Sequence, residues 1–180
     1  MSADRGVTGR NASRDWIVWL RSYDDPESSL TRRLDVVRRR IGETLDNAGA
    51  APVRILSLCA GDGRDVLAEL AARPALQASA VLVEQDVRLV EQARAQAAEL
   101  GDVDVRRGDA GDPATFVDVL PVDLLLLCGI FGNVSDDDIR TTVAAVPAML
   151  AAGGIVIWTR GVFDDRDLRP RSGSGSSTRG

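Results

Sequence analysis

Three short stretches carry residues whose types and spacing suit the binding of a ligand. The first, Arg54–Asp65, reads Arg-Ile-Leu-Ser-Leu-Cys-Ala-Gly-Asp-Gly-Arg-Asp: an apolar run, then a glycine-bearing turn that opens a helical segment. Gly61 and Gly63 let the backbone approach a ligand closely, and the free amides of the following helix favour an anionic group. Glu84 ends the next apolar run, about 20 residues after the turn, where a carboxylate can accept hydrogen bonds from both hydroxyls of a ribose. Asp109 follows the third run, within Arg106–Asp112, and offers an acceptor for an exocyclic amine. Taken singly, each acid is more often a solvated loop residue or a helix cap. Together, a glycine turn, a diol acceptor and an amine acceptor at consecutive strand ends describe an adenosine pocket without phosphate-binding machinery.

Composition removes many other chemistries. All 22 basic residues are arginine, and the 180-residue chain contains neither lysine nor histidine. A histidine triad, a Schiff-base lysine, a Walker lysine and a histidine-containing metal site are therefore unavailable within it. A dinucleotide fingerprint starting at Gly61 would put Val66 where a third Gly or Ala should permit close helix–strand packing, which weakens a nicotinamide reading. A net charge of −5 weighs against a broad phosphate-binding surface, so nucleic acid is disfavoured as a partner. Cys59 and Cys128 are too few for a disulfide framework. No apolar run approaches the roughly 18 residues needed to cross a bilayer, and the opening residues lack a secretory pattern, so a cytoplasmic protein is expected.

These residues need a scaffold, and the apolar pattern supplies one. From Val53 onward, runs too short for helices alternate with helical segments, the signature of βαβ units and a parallel sheet. Strands are predicted at Val53–Leu58, Ala80–Glu84, Val103–Arg107, Val122–Cys128 and Ile155–Trp158. Helices are predicted at Arg64–Ala72, Asp86–Leu100, Pro113–Leu120 and Asp136–Ala145, the last opened by Ser135. Right-handed crossovers make this a doubly wound α/β sheet of order 3-2-1-4-5 with helices on both faces. Ligands bind such sheets beyond the carboxyl ends of the strands. Ahead of the sheet, Trp16, Ile17, Trp19, Leu20 and Tyr23 suggest a short amphipathic helix. Asp25, with Pro26 after it, then reads as the cap of a long helix running to Gly49 with one apolar stripe. The expected organisation is a helical arm over 1–50, a cofactor-binding core over 51–160 and an irregular tail over 161–180.

The blocks Ile55–Asp65, Val81–Asp86, Arg107–Asp112, Asp123–Val134 and Met149–Thr159 resemble, in order and spacing, the five core motifs of Rossmann-like S-adenosylmethionine-dependent methyltransferases. The resemblance covers about Val53–Arg160 and implies S-adenosylmethionine as cofactor. It implies that Cys59, Ala60, Gly61 and Gly63 line the methionine end, and that Glu84, with Gln85 beside it, holds the ribose. Asp109 and the amide of Ala110 would read the adenine, and Cys128, Gly129 and Phe131 would form the floor beneath the transferred methyl. Ser57 stands where many relatives have an acid, and Cys59 replaces the first glycine of their Gly-x-Gly-x-Gly. The arm resembles those that fold over the cofactor in the family, which makes Tyr23 and Trp19 lid candidates, with core packing the alternative for the tryptophans.

Methyl transfer from a sulfonium is an in-line displacement in which positioning and exclusion of water supply much of the barrier reduction, so a dedicated base is optional. Asp15, Tyr23 and Asp136–Asp138 offer proton acceptors without any one being selected, and no catalytic residue is assigned. Members of the family that methylate nucleobase or amide nitrogens commonly carry Asn/Asp-Pro-Pro-Tyr/Phe after strand four. Here Cys128-Gly129-Ile130-Phe131 keeps only the aromatic residue, so a small-molecule acceptor is expected. Carboxylates that hold a catalytic metal in catechol-type relatives are also missing after strands four and five, and no metal site is expected. Cys59 and Cys128 read as small buried apolar residues, with a redox-gated pair as the alternative. Relatives complete the sheet with two further strands, absent from this sequence. The expectation is therefore a truncated or frame-shifted form, with strand 155–158 as an exposed edge open to self-association. A non-catalytic module that binds S-adenosylmethionine or S-adenosylhomocysteine is the alternative function.

Overall fold

A strand buried on both faces must be apolar nearly throughout, and Leu124–Leu127 is the clearest case, with all four leucines within 1% of complete burial. The computed structural model describes residues 23–130 and 136–159. Its elements run α1 (Ser29–Ala48), β1 (Val53–Leu58), α2 (Val66–Ala71), β2 (Ala78–Glu84), α3 (Val87–Ala97), β3 (Asp102–Arg107), β4 (Val122–Cys128), α4 (Asp136–Met149) and β5 (Leu150–Thr159). The five strands form one parallel sheet of order β3-β2-β1-β4-β5, as the sequence pattern predicts. One core lies under α1, α2 and α3 and includes Ile41, Leu45, Ile55, Val66, Leu82, Val90, Leu124 and Leu126. The other, on the opposite face, includes Leu56, Leu58, Val83, Phe116, Leu125, Leu127, Ile130 and Met149. Side-chain alternation along β1, β2 and β4 feeds both cores.

Several boundaries differ from the predicted ones for identifiable reasons. Helix α1 is capped by Ser28, whose hydroxyl accepts from the Thr31 amide, rather than by Asp25. Asp25 instead forms a preceding turn: its carboxylate accepts from the Glu27 amide and its carbonyl from the Ser28 amide. The segment predicted as a helix at Pro113–Leu120 is two 3-10 turns, Pro113–Thr115 and Val117–Val119, broken at Phe116, whose φ of −149° is not helical. Helix α4 continues past Ala145 through Pro147 to Met149. β5 begins at Leu150, five residues before its predicted start, and its pairing with β4 slips between Val122 and Leu124. A Cβ at Gly154 would lie 3.1 Å from the Val122 carbonyl oxygen, so glycine permits the close approach there. The predicted Trp16–Tyr23 helix and the tail lie outside the described residues, apart from Tyr23. No helix among the described residues is long and apolar enough to cross a membrane.

Candidate functional site

The carboxyl ends of β1, β2 and β3 meet around the turn Cys59–Gly63. Cys59 takes a left-handed backbone, with φ 55°, and Gly61 and Gly63 follow at 61° and 73°. The two glycines have different surroundings. A Cβ on Gly63 would lie 2.7 Å from Leu82 Cδ2 and 2.8 Å from Leu67 Cδ1, so this glycine packs the turn against the core. A Cβ on Gly61 would have nothing within 4 Å, so the backbone there borders open space. Gly63 thus supplies the close helix–strand packing, and Val66 is itself fully buried at the start of α2.

Glu84, the last residue of β2, reaches across to this turn. Its Oε2 accepts from the Gly61 amide at 2.9 Å, while Oε1 accepts from the amides of Gln85 at 2.8 Å and Asp86 at 2.9 Å. A carboxylate has about four acceptor sites, so three are used, and the remaining capacity is on Oε2. Acceptance from both hydroxyls of a ribose would require one amide to give way. Gln85 itself is exposed. Beyond β3, Asp109 is exposed and its Oδ1 accepts from the Gly111 amide at 2.8 Å. Ala110 packs against the core under α4. Burial, and then the nearby Glu84 and Asp109 carboxylates, push the Cys59 thiol up to about 12, so both acids act on the same turn.

The end of β4 lies beside β1. Gly129 has φ 118°, and a Cβ there would lie 3.9 Å from the Cys59 carbonyl oxygen. Cys128 donates to the Ile157 carbonyl at 3.9 Å, and burial, followed by Asp65, pushes its thiol up to about 12. The two cysteines are free, and they pack against different cores: Cys59 against the one under α4, Cys128 against the one under α1. Phe131 and Trp19 lie outside the described residues. Among the described residues no group of three or more His, Cys, Asp or Glu is placed to hold a metal ion.

Sequence reasoning missed the polar network behind the turn. Asp62, only 5% exposed, is gripped by the Arg64 guanidinium through Nη2 at 2.6 Å and Nε at 2.9 Å. Asp65 is buried as well. Its carboxylate accepts from the Val66 amide at the start of α2, and burial raises its pKa. The spacing Asp62-x-Arg64 was available as a signal for the first pair, but its contacts with α1 depend on tertiary packing.

Comparisons with known proteins bear on this arrangement. A family described as "Putative methyltransferase" matches residues 31–164. The chain belongs to that family. No curated protein matches it. Among solved structures, an S-adenosylmethionine-dependent methyltransferase from Thiobacillus denitrificans, in complex with S-adenosyl-L-homocysteine, has a TM-score of 0.52 at 20% identity, covering 88% of this chain and 56% of that one. The precorrin-6y C5,15-methyltransferase of Geobacter metallireducens has a TM-score of 0.54 at 14% identity, covering 71% and 63%. The plantazolicin methyltransferase BamL, in complex with an analogue of desmethylplantazolicin and S-adenosylhomocysteine, reaches 0.56 at 12% identity, covering 76% and 47%. At these identities the likeness is one of fold: the Rossmann-like methyltransferase sheet. The chain spans 47% to 63% of the length of these three structures.

Proposed function

We propose that the protein is a methyltransferase that binds S-adenosylmethionine at the carboxyl ends of β1, β2 and β3 and transfers the methyl group in line to a small-molecule acceptor. The observation that carries this reading is the meeting of the Gly61 turn, Glu84 and Asp109 at three adjacent strand ends, with open space beside Gly61. The donor set suits an uncharged nucleoside. Glu84 Oε2 retains acceptor capacity for a sugar hydroxyl, and Asp109, with one oxygen on the Gly111 amide, retains capacity for an exocyclic amine. When bound, the cofactor supplies a methyl group activated by a sulfonium.

The chain's own residues then bind, orient and keep competing groups inert. Cys59, Ala60, Gly61 and Gly63 would hold the methionine end, Glu84 and Gln85 the ribose, and Asp109 and Ala110 the adenine, with Cys128 and Gly129 below the reacting carbon. With both thiols pushed up to about 12, the nucleophilic thiolates are scarce at neutral pH. Burial thus disfavours either cysteine as a competitor of the acceptor for the methyl group. The Cys128-Gly129-Ile130 sequence after β4, in place of the Asn/Asp-Pro-Pro element, supports a small-molecule acceptor over a nucleobase nitrogen.

Isothermal titration with S-adenosylhomocysteine, S-adenosylmethionine and NAD tests the reading. Saturable one-to-one binding of the two adenosyl sulfur compounds, with no heat from NAD, is the expected result. Binding of NAD alone would overturn it, and binding of S-adenosylmethionine without methyl transfer across a panel of small acceptors would leave a binding module in place of an enzyme.

A further inference from the structure

We propose that Tyr23 is a positioning residue for the cofactor turn, acting through Arg64. The proposal rests on the cofactor reading above and adds to it a source of preorganisation.

Gly61 and Gly63 both have positive φ, and glycine is the residue that loses most conformational freedom when it is ordered. A turn built on two such residues is held by what grips the residues between and beside them. Asp62 and Arg64 are those residues, and both are held from the helical layer. The Arg64 guanidinium forks onto Asp62, and the Asp62 carbonyl accepts from Gln96 Nε2 of α3 at 3.1 Å. The Arg64 carbonyl accepts from Arg38 Nε at 3.0 Å and Nη2 at 2.6 Å.

Tyr23 completes this grip. Its ring lies against Arg64, with the guanidinium carbon 4.8 Å from the ring centroid, and its hydroxyl accepts from Arg33 Nη2 at 3.1 Å. The Thr31 hydroxyl, in the first turn of α1, has its one proton between the carbonyls of Asp25 at 2.8 Å and Tyr23 at 3.1 Å. The network lines an open concavity of about 470 Å³ with Tyr23, Arg38, Asp62, Arg64 and Gln96 on its walls. The Arg64 guanidinium is held by Asp62 and by the Tyr23 ring, and deletion of the ring would leave it with the Asp62 contact and more open space. A turn already ordered costs less to order on binding, which is how such a contact raises affinity without touching the ligand.

Tyr23→Ala and Tyr23→Phe separate the ring from the hydroxyl. Phenylalanine keeps the ring against Arg64 and loses the bond from Arg33; alanine loses both. Backbone hydrogen exchange over residues 60–65 is measured in ligand-free protein, together with the dissociation constants of S-adenosylhomocysteine and S-adenosylmethionine. The expected result for Tyr23→Ala is faster exchange in the turn and about three- to tenfold weaker binding of both ligands. Tyr23→Phe should stay within about twofold of the native protein in each measure. Unchanged exchange and affinity in Tyr23→Ala, with only a lower melting temperature, would overturn the proposal, as would equal losses in the two variants. If the native protein binds no S-adenosylhomocysteine, the cofactor reading falls and the positioning role with it. Faster turn exchange in Tyr23→Ala would in that case still show the ring holding the turn, so the two failures are distinguishable.

Discussion

Alanine at Gly63 and alanine at Gly61 should damage the protein in different ways, although the substitutions are chemically identical and two residues apart. Both glycines have left-handed backbones, at φ 73° and 61°, where an L side chain costs roughly 1–2 kcal/mol. Reduced freedom of the unfolded chain offsets about 0.4–1 kcal/mol of that in each case. At Gly63 the new Cβ would also come within 2.8 Å of two leucine methyl carbons, on Leu82 and Leu67, which are 0% and 3% exposed, so buried side chains must shift. Overpacking of a filled core costs about a further 1–3 kcal/mol, so Gly63→Ala should lose about 1–5 kcal/mol in all. At Gly61 nothing lies within 4 Å, and the stability loss should be about 0–1.6 kcal/mol, without the overpacking added at Gly63. Its Cβ would instead project into the open space proposed for the cofactor. Urea unfolding followed by tryptophan fluorescence, beside calorimetric titration with S-adenosylhomocysteine, reads both effects. Equal stability losses at the two positions would refute the reasoning, as would Gly61→Ala with native affinity.

Further outcomes follow from the same geometry. Glu84→Gln replaces one acceptor oxygen by a donor that cannot serve the Gly61 and Gln85 amides together; affinity for S-adenosylhomocysteine should fall about 10- to 100-fold by calorimetry, the range for hydrogen bonds to a charged group. Native affinity in that variant would remove Glu84 from the site. Both thiols should react slowly with an aromatic disulfide reagent at pH 7 in the folded protein and rapidly in urea, since burial pushes each up to about 12; a fast native phase would contradict this. Stability should also depend on pH with two opposite slopes. Asp123 and Asp86 are held below the ordinary carboxylate range by side-chain bonds from Arg54 and Arg88, so their contribution is present above about 3.9 and is lost as pH falls through their folded values. Asp65 is raised by burial, so it binds its proton more tightly folded than unfolded and makes stability decline as pH rises from about 3.9. Asp65→Asn keeps a capping oxygen and should flatten that decline in a series of urea titrations; an unchanged slope would show that Asp65 does not titrate as its burial implies.

Much of this architecture is legible in the residues because a parallel sheet buried on both faces leaves an unbroken apolar signature. β1 and β4 have their predicted ends, since Val53–Leu58 and Val122–Cys128 are bounded by turn residues. Local signals mislead where two of them compete. Asp25-Pro26 reads as the helix start, but Asp25 is spent on the preceding turn and the Ser28 hydroxyl caps α1 by accepting from the Thr31 amide. Gly153 and Gly154 look like punctuation before a strand, whereas they lie within β5 at the place where its pairing slips. The nearness of Glu84 and Asp109 follows from strand order, which the pattern supplies. The turning of Glu84 onto the Gly61 amide, and the stacking of Tyr23 on Arg64, depend on residues 23 and 41 positions apart in the chain and leave no periodic trace.

A crystal structure of the protein with S-adenosylhomocysteine tests the central claim most directly. A ribose hydroxyl within hydrogen-bonding distance of Glu84, the adenine amine at Asp109 and the backbone of Gly61 against the ligand are the expected result. A ligand bound away from these three strand ends, with Glu84 still holding the Gly61 amide and no contact to the sugar, would contradict it.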